Sequence, residues 1–409
     1  MTTITHTQNN YNLVGTLLLL TIIFEVSIGG GGRLIDVGYL SPRMYLFVCA
    51  LIYCIYGYLK FSVKPAYEFL IMVIVFAVLM SLSLLISLYK HIPISAIASD
   101  IKPMFWFICL LFFSVTIKDI KHIQYITTVI KLSGLLLALM FLLLFSIWKL
   151  GFVSFSDVMG LLNPLHDPKL EFYFRGDMTF FFKAIIYVAA TVFFSLFETN
   201  TYKRMLYIVL MLLTIAFTLT RAVWLSVFLV LALYCFWKYK DKNILKSIAL
   251  SLFLVFCGVC GVLLISELLP SALISNASRV KDLHRFNELF SFNSAVLGNG
   301  LGAEILGRDQ LEINYINIFY KLGIVGLIFW FYPLFYIYTQ SRKLSTHALQ
   351  LVMPFILSTL FVYLVSCAHQ FLTNSIGMTI VLVTMVVTRV LLDWDMNQKA
   401  LNINNKEMI

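Results

Sequence analysis

Arginine is the residue whose placement in this chain most invites chemistry. The stretch Thr218-Leu219-Thr220-Arg221-Ala222-Val223-Trp224 sets a cation at the junction of two apolar runs. A guanidinium there either snorkels to a membrane interface or faces a cavity that receives an anionic lipid head group. Further along come Arg279, Lys281, Arg285 and Arg308. Arg279 and Arg285 are six residues apart, about 240° around a helix, so only one of the two faces any shared site. A solvated charged loop is the plainer use of these residues. Phosphate is the ligand that arginine suits best, because its planar fork donates paired hydrogen bonds.

Other polar residues cluster around these cations. Leu297-Gly298-Asn299-Gly300-Leu301-Gly302 is not a dinucleotide fingerprint, since no strand precedes it and it lies between apolar runs. Its glycines suit a tight loop that approaches substrate or neighbouring backbone. Glu312-Ile313-Asn314-Tyr315-Ile316-Asn317 follows, and then Gly323 and Gly326. Glu312 is either a solvated loop acid or a general base, and Asn314 and Tyr315 are candidate substrate-binding residues. Upstream, His166, Asp167, Lys169, Glu171, Arg175, Gly176 and Asp177 either grip a polar ligand, with Arg175 the candidate, or form a polar cap. Lys131 and Lys183 fall inside apolar runs and are either functional or snorkelling. The seven cysteines all lie in apolar stretches, and Cys257-x-x-Cys260 reads as packing, because no second ligand pair is nearby.

The elements that position these residues are membrane helices. The 409 residues are 61% hydrophobic and 12% charged, with a mean hydropathy of +0.92, which leaves too little polar surface for a soluble globule. Apolar runs predict spans near 11–29, 44–60, 66–89, 97–117, 126–148, 178–197, 203–220, 222–238, 246–268, 322–340, 348–368 and 373–392. Each is close to the ~20 residues that cross a bilayer. The expected fold is all-α, a polytopic bundle of about 12 spans forming one integral membrane domain over 1–409. The short alternating segments of a membrane β-barrel are missing. The first apolar run lacks a basic flank and cleavage site, so it reads as a retained span and not a signal peptide.

Charge gives the sidedness. Lys60 and Lys64, Lys118 and Lys121, Lys203 and Arg204, then Lys238, Lys240, Lys242 and Lys246 fall on every second connection, and Arg342, Lys343, Arg389, Lys399 and Lys406 continue the series. The positive-inside rule places that side, with both termini, in the cytoplasm. Most of the net charge of +10 is this signal. No clustered basic face with aromatic platforms suggests nucleic acid. Two long connections, 150–177 and 269–321, then lie outside, and their mixed aromatic and apolar composition argues for order. Gly29–Gly32 reads as a flexible outer turn.

A Thr-x-Thr-Arg helix junction, a long outer loop with further arginines, Gly-x-Gly-x-Gly, an acidic-Asn stretch and Gly-x-x-Gly, in this order over 170–340, resemble the O-antigen polymerase and ligase superfamily. That resemblance implies a GT-C-like glycosyltransferase of the bacterial inner membrane with a periplasmic active site. It also implies an undecaprenyl-diphosphate-linked oligosaccharide as substrate, membrane lipid and a chain-length regulator protein as partners, and no cofactor or required metal. Ligases carry a His eleven residues before the glycine that starts the next span; here that position is Glu312, which favours polymerase. Arg221, with Arg279 or Arg285, would offset charge on the diphosphate leaving group. Glu312 is the candidate base. A metal is not obligatory if arginines serve, and no Asp-x-Asp is present to bind one. The alternatives are a ligase acting on lipid A-core, or a flippase for lipid-linked oligosaccharides. A flippase would show two related halves or many polar spans, and neither is visible.

Overall fold

The computed structural model describes residues 2–31, 41–162, 171–175, 177–269, 271–289, 292–305 and 311–407. In order, the elements are α1 (Thr2–Ile28), α2 (Pro42–Phe61), α3 (Tyr67–Tyr89), α4 (Ile94–Met104), α5 (Cys109–Thr116), α6 (Ile120–Lys149) and α7 (Phe155–Leu162). An antiparallel hairpin follows, β1 (Phe172–Arg175) and β2 (Thr179–Phe182). Then come α8 (Ile185–Ser195), α9 (Thr201–Phe217), α10 (Arg221–Tyr239), α11 (Ile244–Leu268), α12 (Ser271–Leu289), α13 (Phe292–Ala295), α14 (Asn314–Ser341), α15 (Thr346–Val365) and α16 (Ser375–Glu407). A 3-10 turn, Phe105–Ile108, joins α4 to α5 so that the two cross as one span. The chain is a polytopic, helical membrane protein.

Among the described residues, ten helices are long and apolar enough to cross a membrane, against the twelve spans expected. The two that fall short are α8 and α9. Thr179–Phe182 goes into the hairpin, where Tyr173 faces Phe181 and Phe174 faces Phe180, so helix begins only at Ile185. Eleven residues of helix rise about 16 Å, half the hydrocarbon thickness. Every residue of α8 is nevertheless buried, which makes it an interior helix and not a lipid-facing one. The 17 residues of α9 carry Lys203 and Arg204 as their third and fourth, at the end that carries the lysines.

Helix is the default here because lipid offers no partner to backbone N–H and C=O groups. Buried hydroxyls solve the same problem locally. Ser27, Thr116, Thr191, Ser195, Thr384 and Thr388 each donate to the carbonyl four residues back. At the lysine-rich end, Asp119, Asn200, Asn243 and Ser345 accept the N–H three residues on and cap α6, α9, α11 and α15. The centre is α8, α15 and α16, whose side chains are mostly buried. Outward faces such as Ile52, Leu85, Leu143, Phe253 and Phe256 are exposed and apolar, as lipid contact requires.

Cross-links sort the polar residues into two ends. One end joins Lys131 to Glu198 at 2.7 Å and Arg389 to Glu68 at 3.4 Å, and ties the backbone of Ser345 to Asp395. Lys131 is thus paired at this end. The other end joins Arg43 to Glu25 at 2.8 Å, Lys149 to the carbonyl of Asp177, and Arg279 to Glu312. Gly31 belongs to this second end and is fastened, its N–H donating to Glu171 at 2.6 Å, while Gly32 lies outside the described residues.

Candidate functional site

The site is built on a turn that the sequence marks with two threonines. Thr218 Oγ1 donates to the Ile215 carbonyl and Thr220 Oγ1 to that of Thr218, which closes the connection between α9 and α10. Leu219 has φ +50, a left-handed conformation that non-glycine residues rarely hold without support. The hairpin supplies the support. Thr179 Oγ1 of β2 donates to the Phe217 carbonyl at 2.6 Å. Arg175 of β1 donates to the Leu219 carbonyl and, at 3.5 Å, to Thr220 Oγ1.

Three guanidinium groups meet here from distant parts of the chain. Arg221 begins α10 and donates to Ser266 Oγ at 3.2 Å, on the last turn of α11. Arg279, midway along α12, donates from Nε to Glu312 Oε2 at 3.0 Å. Arg175 feels both: burial first, and then the charges of Arg221 and Arg279, push its pKa down to about 10. A fourth group, His369, lies in the short connection between α15 and α16. Burial, then Arg279 and Arg175, push its pKa down to about 4, so the imidazole is neutral at pH 7. Like charges crowded into a desolvated place are costly unless an anion joins them. The arrangement concentrates three positive charges where a multiply charged anion would offset them.

Not all of the expected residues come together. Arg175, Arg221, Arg279 and Glu312 do. Arg285 sits six residues beyond Arg279 on α12, and of the two it is Arg279 whose charge reaches Arg175 and His369. Asn314 is fully buried and accepts a hydrogen bond from Thr373 at 3.1 Å. Tyr315 donates to the Tyr363 carbonyl at 2.6 Å and stacks on Phe331. Both therefore tie α14 to the end of α15 and the connection after it. Lys183 lies over the Tyr173 ring, 5.7 Å from its centroid. His166, Asp167, Lys169, Gly176 and Arg308 lie outside the described residues.

The glycine motif serves neighbouring backbone. Gly298, Gly300 and Gly302 have φ +80, +95 and +75, values open to glycine alone at low cost. A Cβ on Gly298 would overlap the backbone of Lys321 and Leu322. Gly302 N–H and Lys321 Nζ both donate to Asp100 Oδ2 at 2.6 Å, and Ser87 Oγ donates to the Leu301 carbonyl at 2.7 Å. Gly323, with φ 66 and ψ −166, breaks α14 and lets its two halves close on Val296. The loop carrying Arg279 is anchored to α3, α4 and α14 in this way.

Sequence reasoning passed over His369, Asp100 and Lys321. Asp100 and Lys321 sit 221 residues apart; Lys321 lies two residues before the Gly323-x-x-Gly326 pair, and Asp100 flanks no recognised motif. His369 had one local signal, its place in a short outer connection between two strongly apolar runs.

No protein-family model matches the chain. It is, however, 25% identical over 382 residues to a protein of Shigella flexneri named O-antigen polymerase, covering 90% of this chain and 94% of that one. The resemblance read from 170–340 therefore extends along nearly the whole chain, and it lies with an O-antigen polymerase.

Proposed function

We propose that this protein polymerises O-antigen or a related surface polysaccharide. In this reading a growing glycan moves from undecaprenyl diphosphate onto a hydroxyl of the next lipid-linked repeat unit, at the periplasmic face of the inner membrane. The observation that carries the reading is the convergence of Arg175, Arg221 and Arg279 at one end of the bundle, the end opposite most of the lysines. Similarity to an O-antigen polymerase along 90% of the chain supports it.

The chemistry follows from charge. As the bond between the anomeric carbon and the diphosphate breaks, negative charge builds on phosphate oxygens. Cations already fixed nearby stabilise that charge without reorganising. Arg221 and Arg175 are fixed by the α9–α10 turn, and Glu312 orients Arg279. Arginine thereby supplies the positive charge that a metal would otherwise bring. The acceptor hydroxyl needs positioning and a group to take its proton, and Glu312 and His369 are the two candidates beside the arginines. A chain-length regulator is the protein partner we assign to it.

The test is the surface glycan of a deletion strain on a gel. Loss of the protein should leave a single repeat unit on the lipid core, restored to long polymer by the wild-type gene and not by Arg221→Ala at equal membrane abundance. Complete loss of glycan with lipid-linked units held on the cytoplasmic side would instead mark a flippase. Long polymer that stays on its carrier lipid would mark a ligase.

A further inference from the structure

The imidazole of His369 is fixed by its backbone and by two aromatic neighbours. Its backbone N–H donates to the Val365 carbonyl at 3.1 Å, and its own carbonyl accepts from Phe371 at 3.0 Å. The ring stacks on Phe181 of β2, with centroids 6.1 Å apart and planes at 17°, and meets the edge of Phe371 at 5.8 Å. The next residue, Gln370, donates to the Leu311 carbonyl, which sets this connection directly beside Glu312. Among the described residues neither ring nitrogen has a hydrogen-bond partner, and the residue keeps partial exposure. A fixed, accessible and neutral imidazole beside an anion site has a lone pair to offer.

We propose that His369 is the catalytic base of glycosyl transfer, and that the donor's diphosphate enables it by neutralising Arg175, Arg221 and Arg279. This rests on the transferase reading above. The acceptor hydroxyl oxygen forms a bond to the anomeric carbon of the donor sugar. The bond from that carbon to the diphosphate breaks, and its electron pair leaves on undecaprenyl diphosphate. The hydroxyl proton passes to the free nitrogen of His369 and then to water. Without donor, the charges of Arg279 of α12 and Arg175 of β1 act on the ring, which stacks on Phe181 of β2, while the carboxylate of Glu312 is engaged by Arg279; the two arginines suppress proton uptake. An anion bound among them removes that suppression. The base is thus active only when there is a leaving group to expel.

The experiment compares His369→Gln with wild type in the deletion strain, and purified in detergent with lipid-diphosphate-linked repeat units as probe. At equal membrane abundance, H369Q should give a single repeat unit on the gel and a turnover at least about 100-fold lower, the scale of general-base assistance. Retention of the lipid-diphosphate donor by the purified protein should be unchanged in H369Q and lost in R221A. Wild-type turnover should fall on the acid side, and the residual turnover of H369Q should not follow that fall. Long polymer from H369Q, or the same acid limb in it, overturns the assignment. Where H369Q fails to accumulate, diethyl pyrocarbonate on the wild type decides. Inactivation should track His369 carbethoxylation by peptide mapping and be prevented by donor; full turnover after complete modification overturns it. If R221A and the deletion strain also keep long polymer, the transferase reading fails. If only H369Q keeps it, that reading stands and the base lies elsewhere.

Discussion

Lys321→Met removes the ammonium from a carboxylate buried inside the bundle. Lys321 and Asp100 are 1% and 4% exposed, and their charged atoms are 2.6 Å apart. The same Asp100 oxygen accepts the Gly302 N–H at 2.6 Å, so the pair holds the glycine loop against α4. Methionine fills nearly the volume of lysine, so the change is chiefly one of charge. Removing one partner of a buried pair costs about 3–5 kcal/mol, because the remaining carboxylate loses an opposite charge at contact distance without regaining water. A loss of that size lowers a melting temperature by on the order of 10 °C. Asp100→Asn in the same chain should recover most of it, since the amide oxygen still accepts from Gly302 while the charge is gone. The measurement is thermal unfolding of the detergent-solubilised protein, followed by tryptophan fluorescence, for the two single variants and the double. A coupling of about 2 kcal/mol between the sites is expected. K321M melting within about 2 °C of wild type, or a double variant no more stable than K321M, would refute the assignment of the pair as a structural clamp.

Glu312→Gln should retain measurable polymer, because the amide oxygen can still accept from Arg279 Nε where Glu312 does at 3.0 Å; a loss as complete as that of H369Q would make Glu312 the base. Gly298→Ala places a side chain at φ +80 against the Lys321 backbone and should cost at least about 1–3 kcal/mol, visible as a lower melting temperature, with shortened polymer from the loosened loop. The pKa of His369 is lowered in the folded state, from 6.5 to about 4, so the unfolded chain binds more protons across that window. Stability should therefore decline as pH falls from about 6.5 to about 4 and flatten below it. Melting curves of H369Q should lack that decline, and an unchanged one would mean that the imidazole is not held neutral.

Much of this molecule was legible from local composition. Ten of the twelve expected spans are helices long enough to cross, because a run of apolar residues in lipid has few structural options besides helix. The glycines were legible too: Gly298, Gly300, Gly302 and Gly323 all adopt φ values that other residues avoid. So was the place of Arg221 at a helix junction, where the structure starts α10, since a cation between two apolar runs stands out. Local composition misread 178–197, where the Phe-rich start of an apolar run pairs as a strand with residues 172–175, a choice made by a partner segment and invisible in the run itself. The choice of Arg279 over Arg285 likewise came from which of the two acts on Arg175 and His369 in the closed fold, and spacing alone restricted it only to one of the two. His369, Asp100 and Lys321 acquire meaning from neighbours up to 221 residues away. Hydropathy and charge act within a span or a loop, so the sequence by itself determined the bundle and its charge asymmetry. Electrostatic and hydrogen-bonded partnership acts across the closed fold, so only the tertiary structure decided which few polar groups share one site.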